Sequence, residues 1–494
     1  MKTDDPVMRL DNNGHIVGAD TEGAISIIEK NRLQRELGEL EIKLGTARLE
    51  GDTERVLDLK VAIAELREKM TPSLRIIETP YPTPLAEEAF YGLAGDIVRA
   101  FEPHSEADPA ALLGSFLTAY GNVIGGGSWF TVGVIKHFPL LFILCIGDTS
   151  KARKGTSWGP IRVLFESVEP EWVDDRIQNG MSSGEGIINA VRDPIFKEGT
   201  LVVEGVSDKR LLVVESEFAQ PLNTLRREGN ILSPVIRNSW DSDKLQTLTK
   251  ISPTKATDPK ISIIGHITAQ ELIAGLNEIQ SGNGFANRFL MFCVKRSKSL
   301  PFPGGYDSID IGSLTAKLKK AVEFGKLAGE IRWAEKTKPL WAKIYPDLSE
   351  GKPGIIGAIT ARAEAQVVRL VCIYALLDCS NEIEPEHLKA ALAVWSYAEA
   401  SVRYIFQGRA LDPLAKKIRE ALASRPQGLT RTEINNLLGG HYNKNRIDEA
   451  LNTLKALGQA ASKTIETGGR PVEMWFLINS GAEKAEKADK AYSE

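Results

Sequence analysis

The spacing of hydrophobic positions changes several times along the chain. Between residues 24 and 70 they recur at helical intervals. Leu33, Leu37, Leu40 and Leu44 step by four, three and four. After Gly51-Asp52-Thr53 a second stripe runs Val56, Leu59, Ile63, Leu66 and Met70. Two amphipathic stripes around a Gly-Asp break predict a helical hairpin or short coiled coil within residues 1–70, behind a polar arm over 1–23. The pattern then stops. Pro72, Pro80, Pro82 and Pro84 forbid a helix and predict a linker over 71–85. From 86 to 303 two kinds of pattern alternate. Residues 86–101 and 110–123 read as helices, and 129–134, 140–146, 201–204, 211–215, 261–265 and 289–294 as strands. Strands interleaved with helices predict an α/β core, and runs as continuous as 140–146 predict strands buried on both faces. Residues 304–408 form the next region. From 356 to 407 it is helical and apolar on one face, and the region is expected to be a helical lid.

Residues 412–478 predict a winged helix. A first helix spans 414–423. Thr430 and Glu433 form a capping box that opens a second helix. A third, over 444–457, turns Ile447, Leu451 and Leu454 inward. Strand, Gly468-Gly469 turn and strand would then make the wing, with Arg470 at its tip. The last residues, 479–494, are an Ala/Lys/Glu/Asp-rich polar tail.

The most informative stretch is LLFILCIGDTSKARKGTSW. An apolar strand leads into Gly147, Asp148, Thr149, Ser150, Lys151, Ala152, Arg153, Lys154, Gly155, Thr156 and Ser157, and a helix follows. That layout is a phosphate-binding loop. Backbone N–H groups and a helix start face phosphate oxygens, the lysine reaches the terminal phosphates and a hydroxyl, here Thr156, holds Mg2+. The spacing departs from the strict pattern. Gly147 lies seven positions before Lys154 instead of six, Arg153 stands where the second glycine belongs, and Gly155 separates the lysine from Thr156. The bland alternative is a basic turn capping a helix. Gly125-Gly126-Gly127 precedes its apolar strand and reads as a turn.

Two carboxylates end the next strong strand, RLLVVESEF. Glu215 is assigned to the metal and Glu217 to the attacking water; the alternative is an edge strand with both in solvent. In ISIIGHITAQEL, His266 and Thr268 stand at a strand tip where a polar group could sense a γ-phosphate. In NGFANRFLMF, Arg288 could stabilise transition-state charge across a subunit boundary, or simply pair with a carboxylate.

Composition adds limits. The 494 residues are 43% hydrophobic and 26% charged, ordinary globular values that fit two to four domains. The net charge of -4 argues against a chain coated for nucleic acid, and residues 1–70, with 11 Lys/Arg and 15 Asp/Glu, against a DNA clamp there. Residues 412–478 reverse the sign, with 10 Lys/Arg against 7 Asp/Glu. Asn443, Lys444, Asn445 and Arg446 open the third helix, where a recognition helix meets DNA, and Arg470 stands where a wing meets phosphates. A protein-binding winged helix is the alternative. The four cysteines form no CxxC pair and six histidines are too few for multi-histidine metal sites. The start of the chain reads as no signal peptide, and the longest apolar run is too short for a bilayer, so a cytoplasmic protein off the membrane is expected.

The segments GDTSKARKGTSW, LLVVESEF, IIGHITAQEL, NGFANRFL and ARAEAQVVRLVCIYALLD with AALAVWSYAEASVRYIF resemble the DUF3987 family over roughly residues 82–408. These proteins occur in bacteria, phages and plasmids, often beside primase-polymerase domains. The resemblance implies a P-loop NTPase core of the RecA-like class, with ATP and Mg2+ as cofactors. It places phosphate and magnesium on Lys154 and Thr156, metal and water on Glu215 and Glu217, and an arginine finger on Arg288. The function expected is an ATP-dependent DNA-associated motor, helicase-like or helicase-loading, in phage, plasmid or mobile-element replication. Such motors assemble as homo-oligomers, often hexameric rings, and a primase is a candidate partner. The alternatives are a DNA-binding initiator or regulator on a non-hydrolysing nucleotide fold, and, less favoured, a nucleotide kinase.

Overall fold

The computed structural model describes residues 80–478, apart from 148–153, 228, 242–243, 248–253, 277–283, 303, 353, 407–412, 441, 457–458 and 466–471, together with isolated positions between 36 and 62. The chain forms two compact units, residues 1–77 with 423–426 and residues 78–422 with 427–494. In the first, the described positions on either side of Asp52 are helical, as the two leucine-rich stripes predict. The arm over 1–23 and the tail over 479–494 lie outside the described residues.

The second unit is built on a five-stranded, all-parallel sheet: β1 (Phe142–Gly147), β2 (Ile177–Gln178), β3 (Arg210–Glu215), β4 (Lys260–Thr268) and β5 (Phe289–Cys293). Its order is β5-β1-β4-β3-β2. Pleating sends alternate residues to opposite faces. Ile143 and Cys145 of β1 join one hydrophobic cluster with α1 (Pro109–Val123), α2 (Trp158–Glu166) and α4 (Ala363–Leu377). Phe142, Leu144 and Ile146 join another with α3 (Leu232–Trp240) and the shorter helices Gly184–Ala190 and Ala269–Gly275. Neither face meets water, which is why the strands read as unbroken apolar runs.

A second, mixed sheet runs in the order 382–383, Gly329–Trp333, Ser128–Val132 and Ile135–His137. Gly125-Gly126-Gly127 turns into it as the sequence predicts. A Cβ at Gly127 would lie 2.0 Å from the Lys326 carbonyl oxygen, so no larger residue fits. Residues 304–408 are mainly helical, as the sequence predicts, but they share the main hydrophobic cluster instead of standing apart as a lid. Gly329–Trp333 is a strand, and α4 is not a one-sided amphipathic helix, because 13 of its 15 residues are buried. This stretch is part of the core. Beyond it, α5 (Pro385–Tyr404) packs along β5. Its Tyr397 hydroxyl donates to the Cys293 carbonyl at 2.6 Å, and its Ser401 hydroxyl accepts from the Cys293 N–H at 3.0 Å.

Residues 413–478 contribute helices Pro413–Ala423, Arg431–Leu437 and Lys444–Ala456 and an antiparallel sheet ordered Leu429–Thr430, Val472–Leu477, Ala460–Ile465. The Thr430–Glu433 capping box is formed reciprocally. No helix among the described residues is long and apolar enough to cross a membrane.

One buried amide fixes α1 to the sheet. Asn122 donates to the carbonyls of Leu211 and Lys260, each at 3.1 Å, and accepts from the Trp172 indole at 3.0 Å. Replacing it with Ala removes a donor from two carbonyls of the ladder and the acceptor of a buried indole. Asn122→Ala is expected to lower unfolding stability by about 2–4 kcal/mol, read as a reduced midpoint in urea with the slope unchanged.

Candidate functional site

The carboxyl edge of the parallel sheet gathers most of the residues singled out in the sequence. In register, Thr268 stands opposite Gly147 on β1, His266 opposite Cys145, and Gly265 opposite Glu215 on β3. The chain leaves β1 at Gly147 and is next described at the turn Lys154–Ser157, which packs against β1 and β4 and runs straight into α2. Asp148, Thr149, Ser150, Lys151, Ala152 and Arg153 lie outside the described residues. Lys154 and Gly155 are placed by their backbone alone. The two hydroxyls that follow have different surroundings. Ser157 is fully buried, its Oγ 3.4 Å from Ser115 Oγ on α1, whereas Thr156 is exposed. Thr156 is therefore the hydroxyl a ligand at this edge would meet.

Glu215 is buried, which removes the reading of an edge strand with both acids in solvent. One of its carboxylate oxygens accepts from the Met181 N–H at 2.5 Å, so the chain following β2 fixes its orientation. Its backbone carbonyl lies 3.3 Å from His266 Nδ1, and a proton on Nδ1 would donate to it. His266 is itself buried within β4. Glu217 is exposed, with the Gln220 amide donating to it at 3.2 Å. Close packing keeps this edge in place: a Cβ at Gly265 would lie 2.6 Å from both Leu144 and the Phe218 ring. Thr268 is engaged as a helix cap. Its hydroxyl donates to the Glu271 carboxylate at 2.7 Å and accepts from the Glu271 N–H at 3.2 Å.

Arg288 is elsewhere. It immediately precedes β5, and Phe289 pairs with Phe142 at the start of β1, so Arg288 stands at the amino edge of the sheet. The five residues of β5 at about 3.3 Å each put it roughly 16 Å from the carboxyl edge. It donates to the Arg237 carbonyl at 3.0 Å and to the Asp241 carboxylate at 3.0 Å. It cannot reach the Lys154–Ser157 turn of its own chain at the opposite edge.

The amino edge also holds a cluster that the sequence reading missed. Arg369 on α4 lies face-on over the Trp240 ring at 3.4 Å, and Arg362 lies 4.8 Å from the same ring. Arg369 donates to the carbonyls of Leu140, at the entry to β1, and of Trp240, at the end of α3. Asp241 bridges Arg288 at 3.0 Å and Arg362 at 3.6 Å. Burial pushes the Arg369 guanidinium down to about 9, with Arg362 and Arg288 adding to the shift against the pull of Asp241. One signal was available in the sequence. Arg362 and Arg369 are seven residues apart, two helical turns, and so project from one side of their helix.

At the C-terminal end, Asn443, Lys444, Asn445 and Arg446 are all exposed at the start of helix Lys444–Ala456, and the Asn443 carboxamide accepts from the Arg446 N–H at 2.9 Å. Arg470 lies outside the described residues. Among the described residues, no three His, Cys, Asp or Glu side chains converge as a metal cage.

No protein-family model matches the chain, and no curated protein matches it.

The arginine cluster has a measurable consequence for His137, at the end of the adjacent strand. Burial, then the Arg369 and Arg362 charges, push its imidazole down to about 4, against a partial pull upward from Asp241. The unfolded chain binds this proton near pH 6.5 and the folded chain only near 4, so its contribution to stability is lost as pH falls across that window. His137→Gln is expected to flatten the wild-type decline between pH 6.5 and 4 in urea titrations. An unchanged slope would show that burial and the cluster together do not depress this imidazole.

Proposed function

We propose that this chain is a DNA-associated P-loop ATPase, helicase-like or helicase-loading, that works in the replication of a phage, plasmid or other mobile element. The observation carrying the reading is the convergence at one sheet edge. A Lys-Gly-Thr-Ser turn follows the carboxyl end of β1, and a buried glutamate ends β3, two strands away in the order β5-β1-β4-β3-β2. Open α/β sheets bind ligands outside the carboxyl ends of their strands, where the strand order reverses. Here the chain runs from β1 to the far edge at β2, returns through β3 and β4, and crosses β1 to reach β5, so the crevice falls beside β1.

The residues fit a magnesium nucleotide. Mg2+ takes one or two protein oxygens, the substrate phosphates and water, and would neutralise charge on the β- and γ-phosphates. Exposed Thr156 and oriented Glu215 are suited to hold it, and exposed Glu217 is suited to orient water. Lys154 would reach the terminal phosphates. His266 and Thr268 stand where β4 ends beside the loop. The capping-box engagement of Thr268 makes it a positioning group for this edge.

The DNA part of the proposal rests on the C-terminal residues. Three helices with a three-stranded antiparallel sheet suit a winged helix, and Asn443, Lys444, Asn445 and Arg446 would face the major groove from the helix start. Contacts of this kind are salt-sensitive. One observation favours a second reading, an initiator on a non-hydrolysing nucleotide fold. Arg153 occupies the place of the loop's second glycine, where a side chain crowds the backbone approach to phosphate.

Steady-state ATP hydrolysis with and without single-stranded DNA separates the two. The motor reading expects turnover that DNA stimulates and that Lys154→Ala abolishes. Duplex binding without any turnover would leave the initiator. A second measurement tests the C-terminal face: Lys444→Ala with Arg446→Ala should weaken duplex binding and lower the salt slope by about 2, with ATP turnover in the absence of DNA unchanged.

A further inference from the structure

A cavity of about 220 Å³ opens between helix Lys338–Ser349, helix Gly354–Thr360 and the outer face of α5. Ile344 and Leu348 form one wall, and Leu392 and Trp395 another. The helix over it is lightly seated. None of the residues of Lys338–Ser349 is buried, and Ile344 and Leu348 are only half-buried. A guest in the cavity would complete the burial of both side chains and gain the apolar contacts they lack.

Three carboxylates line the same space, and they are not equivalent. Glu399 on α5 is held by Lys352 and by Arg403, the latter at 2.9 Å. Burial alone would raise its carboxyl, but these two cations hold it below the usual carboxylate range. Its charge is met within the chain. Asp347 and Glu350 are exposed at the mouth and have no ion-pair partner among the described residues. The Glu350 N–H still donates to the Pro346 carbonyl at 2.9 Å, so the helical spacing reaches it. Residues three apart at that spacing stand about 5–6 Å apart at Cβ, a span that four carbons between two nitrogens can bridge.

We propose that this cavity binds an aliphatic diamine or polyamine, whose methylene carbons lie against Ile344, Leu348, Leu392 and Trp395 and whose ammonium groups meet Asp347 and Glu350. The apolar walls select hydrocarbon, and the unpaired acids at the mouth select positive charge at its ends. An anion would meet two uncompensated carboxylates. A metal ion needs converging ligands, and among the described residues no three His, Cys, Asp or Glu side chains converge. The volume lies below the roughly 300–1,000 Å³ of sites for drug-sized ligands, so the guest is small. The inference does not depend on the ATPase reading, since no residue of the cavity belongs to the sheet edge described above.

The test is calorimetric titration of the full-length chain at fixed ionic strength. Putrescine is expected to bind saturably at one site, about fivefold more tightly than n-butylamine, which has the same carbon chain and one ammonium. Asp347→Asn with Glu350→Gln is expected to weaken putrescine by about tenfold. Ser396→Trp leaves the charge unchanged and fills the cavity from an exposed position on α5, and is expected to abolish binding. Glu335→Gln removes an exposed carboxylate outside the cavity and is expected to leave the affinity within about twofold of wild type. These exposed substitutions should melt like wild type in the absence of amine. Absence of saturable binding, equal affinity for butylamine, displacement of putrescine by an equal concentration of Mg2+, or binding that survives Ser396→Trp overturns the inference. Unchanged putrescine affinity in the doubly neutralised variant overturns it too, and that arm decides even if the tryptophan variant fails to fold.

Discussion

A parallel sheet with helices on both faces has no wet surface of its own. Its strands carry most of their polar groups where they begin and where they end, because an unpaired polar side chain in the middle costs free energy. That constraint orders the larger unit. Ile143 and Cys145 face one hydrophobic cluster, and Phe142, Leu144 and Ile146 the other. The chemistry is displaced to two rims, with carboxylates and hydroxyls at the carboxyl edge and guanidiniums around Trp240 at the amino edge. Inside, Asn122 is bonded through both its amide and its carbonyl oxygen.

The two rims are coupled through rigid parts. β1 runs from Phe142, two residues after Leu140, whose carbonyl accepts from Arg369, to Gly147 at the carboxyl edge. β5 runs from Phe289, next to Arg288, to Cys293, whose peptide is held on both sides by α5. A displacement at one rim therefore has short, stiff routes to the other.

Much of this was legible in the sequence, for a physical reason. Strands buried on both faces carry nearly continuous apolar runs, and 140–146, 211–215 and 289–294 were found to within two residues. Glu215 was legible because a carboxylate ending such a run is rare. The misses share a cause as well. Gly329–Trp333 is short, half-buried and flanked by charge, so its strand character comes from pairing with Ser128–Val132, 200 residues earlier, and not from its own pattern. Helix α4 reads as one-sided in the sequence because Arg369 interrupts its apolar surface, yet that arginine lies inside, bonded to the carbonyls of Leu140 and Trp240. Arg288 was legible as the residue just before the strand over 289–294, and its finger role came from the resemblance instead of from that placement. A residue just before a strand is at the opposite end of a parallel sheet from one just after a strand, and only the assembled sheet shows how far apart that places them.

The burial of α4 on every side has a consequence for how this unit comes apart. A surface helix frays and reseals while the rest of the molecule stays folded, so its amide protons exchange with solvent quickly. The amides of Ala363–Leu377 have no such local route, since opening this helix removes the support under β1, the Trp240 cluster and the mixed sheet together. In deuterium exchange it should belong with the central strands as part of the last cooperative unit to open, and a protease given the native chain would find its cleavage sites elsewhere.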